Sequence, residues 1–388
     1  MKKLKRSGWV RFSKISMLAV LLLGIALSSD SYAAAVSEEG EKVYTAADIK
    51  ITDAQRKAAE AFYRGKTIQW VTYAQMDGST GMMLRILMKY FPKYIPGNPR
   101  MGSAQVLVGG GGLVSANYLY NRGARDGTEM GQISGGTHRA YIFKRKGVEF
   151  DLNKFTWIAD YLSQNYRLIM TRKGIGVDTF EQLLKAPRVN MGVMEVGHNF
   201  YNEMRIGMYL LGVKFNIIPA YSAGEQDLAL ERGEIDGKVD AAATFMTQKQ
   251  NWIEQGKVVI QWQSEPTRFS KVPNVPTILE LAKKYANPPL GPKDLALMQT
   301  NWDLGRYARY LAMPPGVPIE RVLAIQEAVG KMTEDKEFQE EFSRLTGFEP
   351  KFTPGHILLE TFQRLSDQPK EILDFWLKLS GPEPLPKR

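Results

Sequence analysis

Along the chain, apolar positions switch between the two-residue period of strands and the three-to-four-residue period of helices. Residues 67–73 (TIQWVTY) alternate as a strand, and 81–94 (GMMLRILMKYFPKY) carry apolar residues at helical spacing. A short strand at 105–108 runs into four glycines, 109–112, with a helix over 113–121 behind them. A strand at 129–134 ends in Gly135-Gly136. Further on, the pattern predicts strands at 166–171, 189–193, 214–218 and 257–262. Between them it predicts a helix capped by Asp178 and running to Lys185, one over 198–211, and one over 225–232 after a turn at 221–224. Residues 36–66 are polar and helix-prone, an N-terminal extension, and from about 277 onward the pattern is mainly helical, broken by Pro314-Pro315-Gly316-Val317-Pro318. Strands alternating with helices through short glycine-rich links predict an α/β architecture with mainly parallel sheets.

The N-terminus changes the picture of where such a fold works. Lys2, Lys3, Lys5, Arg6, Arg11 and Lys14 precede an apolar run over 17–27, and small residues follow up to Ala33-Ala34-Ala35. A basic segment, an apolar core of this length and a small-x-small end describe a secretory signal peptide cleaved near 33–35, and the run is short of the roughly 20 residues a membrane span needs. Removing residues 1–33 takes six basic residues and Asp30 with it, so the formal charge falls from +10 to +5. The remaining charge is dispersed, with no basic block interleaved with aromatics, which argues against nucleic acid. With no cysteine in the chain, a thiolate nucleophile, a disulfide framework and Cys-ligated metals are excluded. The three histidines, His138, His198 and His356, stand too far apart for an HExxH-type site. A soluble, exported protein in the periplasm, without a cofactor, is the expectation.

Five strand-to-helix turns rich in Gly, Ser, Thr or Asn remain as candidate chemistry. In open parallel sheets such turns lie at the carboxyl ends of strands, where the following helices point free N–H groups into a crevice suited to a small anion such as a carboxylate. There is no GxxxxGK[ST], and Val114 stands where GxGxxG needs its last glycine, so a nucleotide is unsupported. Ala220-Tyr221-Ser222-Ala223-Gly224 is a one-letter variant of the GxSxG nucleophile elbow, which keeps a serine hydrolase built on Ser222 as an alternative. Such an enzyme would have only His356 downstream, in a polar loop that reads as solvated surface. His138 and Arg139 follow the third turn and read as solvent-facing.

Several segments, in order, carry a resemblance. Residues 109–131 (GGGGLVSANYLYNRGARDGTEMG), 155–161 (FTWIADY), 189–199 (VNMGVMEVGHN), 220–237 (AYSAGEQDLALERGEIDG), 272–282 (VPNVPTILELA) and 311–329 (LAMPPGVPIERVLAIQEAV) resemble the TctC/Bug family, the periplasmic receptors of tripartite tricarboxylate transporters. The resemblance spans about 67–350 and implies a type II periplasmic-binding-protein fold: two lobes joined by two crossing strands. It places the first lobe at 67–162 and 263–388, the latter including the C-terminal helices, and the second lobe at 163–262, after a signal peptide (1–33) and an extension (34–66). It also implies a non-enzymatic receptor that closes by hinge motion on a small carboxylate and docks, as a monomer, on membrane permease subunits. A periplasmic sensor feeding a signalling partner is the neighbouring alternative.

Ligand contacts carried over to this chain fall on the same turns. They are Tyr73, Ala74, Gln75, Asp77, Gly78, Ser79 and Thr80 in the first, and Gly110 and Gly111 in the second. The third turn supplies Ser134, Gly135, Gly136 and Thr137. In the second lobe they are Val196, Gly197, His198 and Asn199, then Tyr221, Ser222, Ala223 and Gly224. The first turn is poorer in glycine than the family's, with Gly81 in place of an acid, and Glu195 is expected to face outward, away from an anion.

Overall fold

A computed structural model describes residues 43–76, 79–162, 166–219, 222–307 and 309–388. The expected signal peptide, together with Asp77, Gly78 and Tyr221, lies outside the described residues, as do the side chains of Ser79 and Ala223.

Within the extension, a 3-10 turn at Ala46–Asp48 precedes helix α1 (Asp53–Tyr63), where Thr52 and Gln55 form a reciprocal capping box. Its buried face, Ala59 and Tyr63, seats it on the body of the protein. The first lobe then runs β1 (Thr67–Thr72), α2 (Ser79–Tyr90), β2 (Arg100–Val106), α3 (Leu113–Arg122), β3 (Glu129–Ser134), α4 (Gly136–Ile142) and β4 (Thr156–Asp160). The second lobe runs β5 (Arg167–Arg172), α5 (Phe180–Lys185), β6 (Val189–Gly192), α6 (Asn199–Leu211), β7 (Phe215–Ile218), α7 (Ala223–Arg232), β8 (Gly237–Ala241), α8 (Ala242–Gln248), α9 (Gln250–Glu254) and β9 (Val258–Gln263). Helices α10 (Ile278–Tyr285) and α11 (Pro292–Arg306) follow, then β10 (Arg309–Met313), α12 (Ile319–Glu334), α13 (Lys336–Thr346), β11 (Thr353–Pro354), α14 (Gly355–Ser366) and α15 (Lys370–Ser380).

Two sheets result, ordered β11-β4-β10-β3-β1-β2 and β7-β6-β8-β5-β9. Each has a parallel βα core, β2-β1-β3 in one and β7-β6-β8 in the other. The strands nearest the crossings, β4, β10, β5 and β9, pair antiparallel. This is a two-lobed α/β fold whose chain crosses from the first sheet to the second between β4 and β5 and returns between α11 and β10. β3 is buried along nearly its whole length, as expected of a strand covered on both faces. Trp70, Phe91, Val329 and Phe338 fill one face of the first sheet; Val71, Ile133, Trp157 and Phe362 fill the other.

The chain does not return directly to the first lobe after β9. Leu281 of α10 and Met298 and Trp302 of α11 join the core of the second sheet, alongside Met191, Met204 and Trp262. α15 ends on the same core through Trp376 and Leu379. Residues 278–306 and 370–380, which the sequence reading gave to the first lobe, thus pack on the second. α14, between them, holds to β4 through Phe362 against Trp157.

Local differences from the sequence pattern have physical causes. α5 is capped by Thr179, whose hydroxyl accepts from Gln182 N–H at 3.2 Å, because a capping-box partner stands three residues on. Asp178 instead accepts from Gly174 N–H at 2.7 Å. β2 starts five residues early because it is an edge strand of mostly half-exposed residues, which carry little apolar alternation. β8 and β10 escape the pattern because β8 buries Lys238 and Asp240 within it and β10 opens on Arg309 straight after a helix.

Candidate functional site

The third turn is the best-defined part of the region between the lobes. β3 ends at Ser134, whose hydroxyl accepts from Gly136 N–H at 3.1 Å, and Thr137 donates its hydroxyl to the Ser134 carbonyl at 2.7 Å. Gly135, at the N-cap of α4, offers no capping side chain. Behind this turn lies the glycine run, with φ of +130°, +58°, +69° and +100° from Gly109 to Gly112. A Cβ on Gly112 would stand 2.5 Å from the Ser134 Cβ, and one on Gly136 would stand 2.9 Å from the Gly111 carbonyl oxygen. The run is therefore a backbone joint that fixes the β3–α4 turn; Gly110 and Gly111 do not line the cleft.

α4 then carries the two residues read as solvent-facing, and the structure corrects both. His138 is wholly buried, its Nδ1 within 2.6 Å of the Tyr310 hydroxyl and its ring stacked on Phe362. Burial, reinforced by the nearby Arg139 charge, holds its pKa well below the usual histidine range, so it is neutral. Arg139, one position round the helix, enters the wall of the cleft and donates to Oδ1 of Asn199 at the start of α6. Burial pushes its pKa down to about 10, which leaves it protonated at neutral pH. The groups that act on it most are the neutral Tyr310 hydroxyl and the Arg167 cation; neither is a carboxylate.

A second cation stands close by for a topological reason. β10 runs antiparallel to β3 with Arg309 opposite Ser134, so the strand start of one meets the turn of the other. Its Nε donates to the Thr80 hydroxyl at 3.2 Å.

The second lobe presents helix starts that cap themselves. His198 Nδ1 accepts from Phe200 N–H at 3.2 Å, and its ring meets the Phe200 ring edge-to-face at 4.8 Å between centroids. Burial and the Arg139 charge lower its pKa, consistent with a neutral ring whose lone pair is committed to the helix. At α7, Ser222 accepts from Glu225 N–H at 3.4 Å and the Glu225 carboxylate accepts from Ser222 N–H at 2.7 Å. That box is exposed, and neither Ser222 nor Gly224 lines the cleft.

These elements enclose a cleft of about 520 Å³. Ser134, Gly135, Gly136 and Arg139 meet His198, Asn199 and Phe200 across it. α8 adds Thr244 and Gln248, and the end of α11 adds Leu304 and Gly305, followed by Tyr307. At the other side, Met82 and Met83 of α2 face Leu345, Thr346 and Phe348 at the end of α13. Tyr73 and Arg309 complete the lining from the first lobe. Among the described residues that line it there are two arginines and no Asp or Glu.

Behind the floor lies a buried ionic cluster that fixes α6 and α11. Arg167, 1% exposed, pairs with Glu203 at 2.9 Å and Glu265 at 3.2 Å, and donates to the Gly305 carbonyl at 3.3 Å. Burial pushes the Glu265 carboxyl up to about 7 against the pull of Arg167. Arg364 of α14 pairs with Asp303 of α11 at 3.0 Å.

Of the residues expected at the site, Tyr73, Ser134, Gly135, Gly136, His198 and Asn199 line the cleft. Ala74, Gln75, Thr80, Thr137, Val196 and Gly197 do not: the Ala74 N–H donates back to the Thr72 hydroxyl, Thr137 is buried, and Val196 and Gly197 stand exposed on the loop before α6. Glu195, on the same loop, is exposed as expected. Arg309 and the apolar wall escaped the sequence reading. The signal for Arg309 was a charged residue opening the short apolar run Tyr310–Met313 within a region that otherwise read as helical. The hydrolase alternative finds no support: Ser222 starts a helix of the second lobe, whereas His356 is exposed on α14, which packs on the first sheet.

No protein-family model and no curated protein matches the chain. Solved structures do. A TctC solute-binding protein from Polaromonas is 19% identical with a TM-score of 0.63, the match covering 80% of this chain and 99% of that one. The periplasmic binding protein BugD is 16% identical with a TM-score of 0.56, covering 82% and 99%. MatC from Rhodopseudomonas palustris, solved with malate, is 19% identical with a TM-score of 0.52, covering 81% and 99%. A further R. palustris protein, solved with adipate, is 16% identical with a TM-score of 0.57, covering 80% and 96%. At this identity the likeness establishes the fold, the two-lobed architecture of periplasmic binding proteins.

Proposed function

We propose that the chain is a non-enzymatic solute receptor that captures a small organic carboxylate between its lobes. The observation that carries this reading is the lining of the cleft: residues from both lobes, two arginines, and no acid among the described residues. A half-buried guanidinium without a carboxylate partner is unfavourable unless an anion joins it, and a carboxylate does so with two parallel hydrogen bonds. Arg139 belongs to the first lobe and already reaches Asn199 of the second. An anion bound there would touch both lobes at once and stabilise their closed arrangement. In the malate- and adipate-bound neighbours the same fold holds carboxylates, which supports the ligand class.

On this reading the chain works in the periplasm as a monomer, exported by its N-terminal segment, and hands its ligand to the permease subunits of a tripartite tricarboxylate-type transporter. The test is a thermal-shift screen of the mature chain, unfolded and refolded to strip carried-over ligand, against mono-, di- and tricarboxylates. An acid present at 100 times its dissociation constant adds about 2.7 kcal/mol of stability and raises the melting midpoint by several degrees. A flat response to every acid overturns the proposal.

A further inference from the structure

The two ends of the cleft differ in character. At the end where α4 meets α6, the lining is mostly polar, glycine or charged (Ser134, Gly135, Gly136, Arg139, His198 and Asn199), with Phe200 of α6 and Leu304 beside them. At the end where α2 meets α13, the lining is Met82, Leu345 and Phe348 with the buried Met83 behind them, bordered by Thr346, by Arg309 held at the Thr80 hydroxyl of α2, and by Thr244 and Gln248 of α8. Thr346 is itself buried and turns its hydroxyl back to the Phe342 carbonyl at 2.7 Å, so it presents no free donor to a guest.

Size points the same way. A cleft of about 520 Å³ falls in the range that holds drug-sized ligands. A compact acid of four carbons with hydroxyl groups would leave its polar parts against methionine, leucine and phenylalanine and most of the space to water. Methionine suits a guest of variable shape, since its flexible, polarisable side chain adapts to the surface it meets.

Resting on the receptor reading above, we infer that the ligand is an amphipathic carboxylate. Its anionic head pairs with Arg139 beside Asn199, and an apolar chain or ring lies along Met82, Met83, Leu345 and Phe348. Arg139 sets the charge of the guest, and the α2–α13 wall sets its length and hydrophobicity.

The test uses butanoate, hexanoate and octanoate as a homologous series, with malate as the compact, polar comparator, titrated into the refolded mature chain by calorimetry. Burial of each added methylene gives roughly a fourfold gain in affinity until the cavity is full. Octanoate therefore binds at least tenfold more tightly than butanoate, and malate binds more weakly than hexanoate. Two variants separate head from body. Arg139→Gln lowers affinity across the series by tenfold or more and keeps the gain per methylene; Phe348→Ser flattens that gain. If malate binds and affinity does not grow along the series, the amphipathic assignment fails while the carboxylate receptor stands. If neither malate nor any member of the series binds, the receptor reading falls, and this inference with it.

Discussion

The turns of the two lobes solve the same local problem in different ways. Each is a strand end leading into a helix whose first N–H groups lack partners within the helix. In the second lobe those groups are taken by the chain itself: the His198 imidazole serves α6, and the Ser222–Glu225 box serves α7. In the first lobe, α4 starts at Gly135 with no capping side chain and carries Arg139 one turn in. Glycine, serine and asparagine look alike in both settings, so turn composition alone does not separate a closed helix start from an open one. A self-capped start contributes to stability; at α4, where the Ser134 hydroxyl takes the Gly136 N–H, it is the Arg139 side chain, with no carboxylate beside it, that is offered to a guest.

The largest effect expected from this contrast is on binding. Replacing Arg139 by Gln removes a charge-assisted contact worth about 1.5–3 kcal/mol, a loss of tenfold to over a hundredfold in carboxylate affinity by calorimetry. The ligand-free melting midpoint stays level or rises, because a cation held in a dehydrated wall is removed. A drop in stability with affinity intact would make Arg139 a structural residue.

Next in size is a pair of glycine substitutions that tests the joint behind α4. Gly112→Ala sets a methyl against Ser134 at a φ of +100°, so it should destabilise the protein by about 3 kcal/mol and disturb the turn. Gly111→Ala, with a φ of +69° and open space around the new methyl, should cost only about 1 kcal/mol. Equal effects in a denaturant series would mean that backbone strain, not the packing joint, decides the role of the run.

A smaller, global effect concerns pH. Burial raises the carboxyls of Asp160, at the end of β4, and Glu265, just past β9, to about 7. Between about pH 4 and 7 the folded chain holds protons that the unfolded chain has released, so stability falls as pH rises through that window. The melting midpoint should be several degrees lower at pH 8 than at pH 5, and Asp160→Asn should flatten part of the slope. A midpoint that rises over this range would contradict the burial of these groups.

The smallest effect belongs to the self-capped lobe. Ser222→Ala removes one cap at an exposed helix start, which lowers stability by about 1 kcal/mol and leaves carboxylate affinity unchanged. A tenfold weaker affinity in this variant would move the ligand to the α7 turn and reverse the contrast between the lobes.

Much of the architecture could be read along the chain, and the reasons differ by element. β3 appears at its predicted bounds because Gly127 before it and Gly135-Gly136 after it punctuate the run, although Glu129, Gln132 and Ser134 make it half polar. α6 and α7 were legible because His198 and Ser222 stand directly before them. β8 and β10 were missed because charged residues interrupt their apolar pattern, Lys238 and Asp240 in one and Arg309 at the head of the other, and with β10 went Arg309, which reaches the cleft through antiparallel pairing with β3. The apolar wall could not be seen either. Met82 and Phe348 lie over 260 positions apart, and only the packing of α13 against α2 brings them to one surface. Arg139 was visible as a residue, but its partner Asn199 lies across a lobe boundary, where no local pattern reaches.

The most direct measurement is a crystal structure of the mature chain with hexanoate bound. The account predicts its carboxylate within hydrogen-bond distance of the Arg139 guanidinium, next to Asn199, and its methylenes against Met82 and Phe348. A carboxylate seated instead on the Ser222–Gly224 turn, or bound away from both arginines, would contradict it.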